Sequence, residues 1–430
     1  MKTTLLTTLG LGVFAGVASA NGFNINEHDA QVTGRGGATV ASIDGASSIV
    51  FNPAGLARVT GTMISFGGSM YIAQGSYTPE GGTETTTDSD PSIVPNLYVA
   101  KRMDKRFAAG LGLHLPFGLA VSWPDAHAQR DIVMDQKLRT YFISPVIAVN
   151  LDQYAPGLSV AVGADIVPAT IELKQDVLFG DTVGNVVLAG DTIGFGLRAG
   201  VQYHAPAVKG LKVGVMYRSP IELDFSGTGD FDIEDPFRSQ LPPDGPITAG
   251  ITLPQTVWGG VAYSPVNNLE VEVDAVWINW AQAFEDGDLT INFTDADVST
   301  SQPQDYENTI SYRLGVDYFL APQKLNLRAG FVYDPTPIPT TTLSARLPDI
   351  DRKNVTLGAS KAFGNYGAHL GVLWVTPGER ETSDADPYAP QFKATYGVQA
   401  FVISLGMTGR FGSTGAPAVP ATGDGALASR

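Results

Sequence analysis

From about Thr60 to Phe411 the chain repeats one pattern, in which bulky apolar side chains alternate with small or polar ones over segments of roughly ten to eighteen residues. That period of two belongs to strands whose two faces meet different surroundings, and it excludes a helical reading of most of the molecule. In "LEVEVDAVWINW" Leu269, Val271, Val273, Ala275 and Trp277 share one face, while Glu270, Glu272 and Asp274 share the other. In "RFAAGLGLHLPFGLAV" the large residues Phe107, Leu111, Leu113, Leu115, Phe117 and Leu119 alternate with Ala108, Gly110, Gly112, His114, Pro116, Gly118 and Ala120. A soluble sandwich would carry polar, solvated side chains on its outer faces. Bulky apolar residues on one face and glycine or alanine on the other suit a wall with hydrocarbon outside and a filled space within. Only a closed barrel satisfies every strand's backbone there.

Connections between the segments alternate too. Short turns fall at "MDKR", "DQYAPG", "APAVKG", "SPVNN", "APQK" and "GNYG", and longer acidic loops include "TPEGGTETTTDSDP", "WPDAHAQRDIVMD", "EDGDLTINFTDADVSTSQPQD" and "GERETSDADPYAP". The count gives about fourteen antiparallel strands with both termini on the short-turn side, the arrangement of bacterial outer-membrane barrels. Composition agrees: 43% hydrophobic, 16% charged and 49 glycines leave too little charge for the surface of a soluble protein of 430 residues.

Residues 1–20, "MKTTLLTTLGLGVFAGVASA", read as a signal peptide, with Lys2, an apolar core and an Ala-Ser-Ala cleavage site. With no cysteine there is no disulfide framework, thiolate metal site or lipidated N-terminal cysteine. A net charge of −16 without a basic cluster argues against nucleic acid. Nothing implies a cofactor or a metal; the acidic loops match no EF-hand spacing. The five histidines lie in no nucleophile motif, so the chain does not read as an enzyme.

Residues 21–59 do not alternate. "SSIVFNPAGLARV" is compact, apolar and interrupted by Asn52-Pro53, and Ile49, Val50, Phe51 and Leu56 are too apolar for a solvated leader. A chain entering from the short-turn side can fold back into the lumen, so this stretch is expected to plug the barrel. In the third strand, Pro116 removes a ladder donor and Gly118 eases a bend, so pairing with a neighbour should fail there. Pro168, in "GADIVPATIEL", shifts the phase of the alternation and is expected to mark a bulge. Residues 412–430, rich in Gly, Ala and Pro, read as a flexible tail beyond a barrel spanning 60–411.

The mature start "NGFNINEHDAQVTGRGGA", the triplet Asn52-Pro53-Ala54, "YRSPIELDFSG", "LRAGFVYDPTPIP" and the distal "LPDIDR" occur in an order that resembles the FadL family, outer-membrane transporters of long-chain fatty acids and other hydrophobic compounds. The resemblance implies a monomeric fourteen-stranded barrel, a small hatch containing Asn52, Pro53 and Ala54, and sideways exit through a kinked third strand at Pro116, Phe117 and Gly118. Phe23 is the expected movable lid, and Asn52 the residue that holds the rest of the hatch still.

A fatty acid needs apolar walls and one or two cationic donors. Parity places Arg198, Lys212, Arg218, Arg313 and Arg328 on the inner face as head-group candidates, beside Glu270, Glu272, Asp274 and Asp317, with which they could instead pair. Asp349 and Arg352 read as a structural pair. A plug of about forty residues is too small for an energy-coupled transporter, so uptake is expected to be passive. The expected partners are a fatty acid or other hydrophobic small molecule, outer-membrane lipid and lipopolysaccharide. A channel for monoaromatic or alkane hydrocarbons, and a general porin, remain alternatives.

Overall fold

In the computed structural model, residues 22–88, 90–383 and 392–412 are described; the stretch read as a signal peptide and nearly all of the stretch read as a C-terminal tail lie outside them. The strand segments close into a fourteen-stranded antiparallel barrel. Its strands are β1 (Thr62–Pro79), β2 (Ser92–Arg102), β3 (Phe107–His114, resuming at Gly118–Ser122), β4 (Asp135–Thr140 and Phe142–Asn150), β5 (Leu158–Phe179), β6 (Thr182–His204) and β7 (Leu211–Arg218 and Ile221–Asp232). They continue as β8 (Gly245–Leu253 and Thr256–Val266), β9 (Leu269–Ile278), β10 (Thr309–Leu320), β11 (Leu325–Asp334), β12 (Arg352–Phe363), β13 (Tyr366–Glu381) and β14 (Ala394–Phe411). Closure is made by β1 against β14, from Thr62 opposite Phe411 to Pro79 opposite Ala394.

Outward-facing apolar side chains stay bare, including Phe195, Val162, Leu197 and Leu357, each more than 60% exposed. Such a belt is stable only against hydrocarbon. About ten tilted residues cross the apolar layer, so β5 and β6, at 22 and 23 residues, run well past it on the long-loop side. The inward face of β9 is acidic low down, at the buried Glu270, Glu272 and Asp274, and apolar above, at Val276 and Ile278.

Residues 22–59 sit inside the cylinder. Helix α1 (Ala30–Gly34) starts at Asp29, whose carboxylate accepts from the amides of Gln31 (2.7 Å) and Val32 (3.3 Å). Helix α2 (Ser48–Phe51) stops at Asn52, which is extended at φ −163°, and Pro53 opens a 3₁₀ turn over Pro53–Arg58. The small residues of the wall make room for this segment. A methyl group on Gly214 would lie 2.2 Å from the Val40 carbonyl oxygen, and one on Gly371 2.4 Å from that of Ala30.

Three local expectations need correction. Leu115, Phe117 and Leu119 belong by strict alternation to the outer face with Leu111 and Leu113, yet all three are buried, at 8%, 0% and 5% exposure. The break in β3 inverts the parity, so the apolar residues beyond it point into the lumen. Pro168 carries no bulge: the β5–β6 register runs unbroken through Pro168 opposite Ile193, and the irregularity falls on β4, at Tyr141. Finally, the acidic stretch read as a loop contains a hairpin. Asp288–Phe293 pairs with Val298–Pro303 and with Ile247–Ala249 of β8, burying Leu289, Ile291 and Phe293.

Candidate functional site

The wall is discontinuous beside the break in β3. The ladder between β2 and β3 runs from Arg102 opposite Ala108 to Leu97 opposite Leu113 and stops. Continuing that register would set Pro95 opposite Leu115 and Val94 opposite Pro116, and two prolines across one seam cannot supply its donors. Among the described residues no ladder joins 92–96 to 118–122, because Gly118–Ser122 pairs only with β4. The two edges meet again at the rim, where the Asp88 amide donates to the Ser122 carbonyl at 2.9 Å. Pro95, which sequence reasoning missed, carries the same signal as Pro116.

An open sheet edge at membrane depth needs other partners, and the start of the hatch supplies them. The Ile25 amide donates to the Pro116 carbonyl (2.8 Å), the Gly118 amide donates to the Phe23 carbonyl (2.9 Å), and Asn24 lies opposite Phe117 in an isolated antiparallel bridge. The Phe23 ring packs edge-on against Trp280 at 4.8 Å and is tilted against Phe117 at 5.9 Å. Its neighbour Gly22 donates its amide to Asp349 Oδ2 at 3.1 Å. Asp349 also pairs with Arg352 at 3.0 Å, as the sequence suggested, and accepts from Thr336 at 2.7 Å. Burial pushes the Asp349 carboxyl above its ordinary value, against the pull of Arg352 and of these hydrogen bonds.

The rest of the hatch is clamped. Asn52 Nδ2 donates to the carbonyls of Val40 (2.7 Å) and Val201 (3.0 Å), while its Oδ1 accepts from the Ala54 amide (3.1 Å). Pro53 and Ala54 are buried in the turn that follows. Arg35 reaches Glu272 at 3.0 Å and Glu270 at 3.3 Å; Asp274 accepts from the amides of Thr39 and Val40, and Glu272 from that of Ala41. Sequence reasoning overlooked Arg35, although it is the one cationic side chain between Asn21 and Ala57, and three acids on one inner face require a counter-charge.

The five head-group candidates divide. Arg198 is committed to Asp165 (2.5 Å), Lys212 to Glu270 (2.8 Å) and Arg328 to Asp317 (2.7 Å). Arg218 and Arg313 are buried without an ion-pair partner among the described residues. Arg218 lies over the Phe117 ring at 4.6 Å and Arg313 over Trp258 at 4.7 Å. Arg218 therefore stands behind the broken segment of β3. Arg313 faces a polar cavity of about 30 Å³ beneath the hatch start, shared with Asn24, Glu27 and Arg352.

Residues 11–411 match the family described as outer membrane protein transport protein (OMPP1/FadL/TodX). The chain belongs to this family. Its members are outer-membrane transporters of hydrophobic compounds in Gram-negative bacteria, and this chain is an outer-membrane barrel of that kind. It is 25% identical to outer membrane protein P1 of Haemophilus influenzae, over 86% of this chain and 89% of that one. It is 23% identical to the long-chain fatty acid transport protein of Escherichia coli K12, over 87% and 93%. In fold it is similar to the FadL homologue of Pseudomonas aeruginosa (TM-score 0.79, 18% identity, covering 91% of this chain and all of the other). The toluene transporter TodX of Pseudomonas putida is also similar (TM-score 0.71, 16% identity, covering 91% and 99%).

Proposed function

We propose that this FadL-family barrel takes up long-chain fatty acids passively and releases them sideways. The acid enters from the long-loop side, lodges in the apolar upper lumen and leaves between β2 and β3 when the hatch segment Phe23–Ile25 moves away from Pro116–Gly118. The observation that carries this reading is the missing ladder between 92–96 and 118–122, with the hatch start bonded to its edge. One apolar cluster supports the path, running from Leu188 and Phe225 through Leu138 and Leu119 to Phe117 and Phe23. Arg218, buried behind the exit without an ion-pair partner among the described residues, is the head-group residue of the lower lumen. The barrel works as a monomer among outer-membrane lipid and lipopolysaccharide, and uptake needs no energy coupling.

Ligand binding drives release only if it favours the moved hatch over the seated one. Aromatic hydrocarbons are the second reading, favoured by the fold shared with toluene transporters. A strain lacking its own fatty acid transporter, given this chain, should grow on oleate, and labelled oleate should enter faster than with empty vector. Growth on toluene without uptake of oleate would favour the hydrocarbon reading, and uptake of neither would end both.

A further inference from the structure

Sequence reading found no basic cluster, yet the turn between β2 and β3 is one: Lys101, Arg102, Lys105 and Arg106 stand within six residues of a chain whose net charge is −16. Arg102 builds the turn. Its Nε donates to the Asp104 carbonyl and its Nη2 to that of Lys105, both at 2.6 Å, while Nη1 bonds the Ala57 carbonyl of the hatch. Asp104, the one acid in the turn, caps it, its Oδ1 accepting from the amides of Arg106 (2.7 Å) and Phe107 (2.8 Å). Asp152, in the neighbouring turn that carries Tyr154, likewise caps the Gly157 amide at 2.7 Å. Lys101 and Lys105 are exposed, with no ion-pair partner among the described residues. Arg106 is half-buried. Its guanidinium lies 5.3 Å from the centre of the Tyr154 ring and 5.7 Å from that of Phe107, and its Nε has no partner.

Exposed rings fix the depth of this turn in the membrane. Tyr154, Tyr203, Tyr263, Tyr318 and Tyr366 all lie at short turns or at the strand ends beside them, a girdle that marks the head-group layer. Arg106 packs on that girdle, so the cations stand at the level of lipid phosphates. Lys101 also ends the outward row of Ile93, Leu97 and Val99. Above it the ladder between β2 and β3 stops, at Leu97 opposite Leu113. Leu97 lies about 13 Å along the strand from Lys101, so the gap begins within one leaflet of a hydrocarbon layer roughly 30 Å thick. We infer that this turn binds an anionic phospholipid, whose phosphate is held by Lys101, Lys105 and Arg106 and one of whose acyl chains lies over the open seam beside Leu97 and Leu113. Bonds from these cations to phosphate are charge-assisted, and neighbouring cations at a membrane surface reinforce one another. The bound lipid covers from outside the gap that Phe23–Ile25 covers from within. This holds whatever the barrel carries.

The test uses the purified, full-length protein in phosphatidylcholine vesicles, carrying a fluorophore through Met103→Cys, since Met103 is 61% exposed and the chain has no other thiol. Phosphatidylglycerol or phosphatidylcholine with a nitroxide on one acyl chain is added at equal mole fraction, and the two quenching curves give the preference for the anionic lipid. That preference should be at least about fivefold, what one cation at a membrane surface supplies, and Lys101→Gln with Lys105→Gln should bring it close to one. Lys209→Gln with Lys324→Gln, which takes the same charge from other short turns, should leave it within about twofold of its starting value. The heat-dependent gel shift of a folded barrel verifies each variant. No preference with all lysines present, no loss in the Lys101, Lys105 variant, or an equal loss in both double variants overturns the site. So does a preference that inorganic phosphate abolishes at constant ionic strength, because the turn then takes a free anion and not a lipid.

Discussion

Asn52 ties two strands of the wall and two turns of the hatch to one carboxamide, through Val201, Val215, Val40 and Ala54. Asn52→Ala leaves the buried Ala54 amide unpartnered, at about 1–3 kcal/mol, and leaves the Val40 carbonyl with Gln202 Nε2 alone at 3.2 Å. Hydrogen exchange should then quicken across Ala30–Arg58 while β12 to β14 keep their protection; unchanged hatch exchange would remove Asn52 from this role. Arg35→Met is harsher, because it removes the ion-pair partner of the buried Glu272 at a cost of about 3–5 kcal/mol, while Glu270 keeps Lys212. The yield of folded barrel should fall, and Glu272→Gln in the same chain should restore part of it. Proline and asparagine were legible in the sequence because their constraint is local. The pairing of Arg35 with β9 was not, since it joins residues some 235 positions apart.

Among the elements, β3 sets the proposed exit. Its break adds an odd number of irregular residues, so Leu113 faces lipid while Leu119 and Val121 face the lumen. Deleting Leu115 to Phe117 would put Gly118 outward and Leu119 inward in an unbroken alternation, and would let β2 and β3 pair along their length. This variant should assemble into the membrane at near wild-type levels yet lower oleate uptake to the empty-vector rate. Wild-type uptake through such a closed wall would contradict a lateral route. Pro116 announced the break from sequence, but the reversal of faces beyond it did not follow, because alternation carries no information about what happens after an irregular residue. The hairpin at Asp288–Phe293 was hidden for another reason: its Leu-Thr-Ile-Asn-Phe alternation is flanked by acidic turn residues, and their composition masked the period.

At the scale of the whole molecule, the hatch occupies the lumen that a porin would leave open. Reconstituted in planar bilayers, the protein should give no large steady current, whereas deletion of residues 22–59 should give one; a steady current from the intact chain would favour an open pore. The cylinder and the segment inside it could be read from strand period and the one apolar stretch that does not alternate. The ligand could not, because which cations remain unpaired depends on side chains brought together by closure. Uptake by this route requires the hatch start to move away from the broken strand. The chain has no cysteine of its own, and Asn24 and Phe117 face each other in an antiparallel bridge, a spacing a disulfide can span. Oleate uptake through the Asn24→Cys, Phe117→Cys variant should fall to the empty-vector rate when the pair is oxidised and return on reduction; equal uptake in the two states would contradict the account.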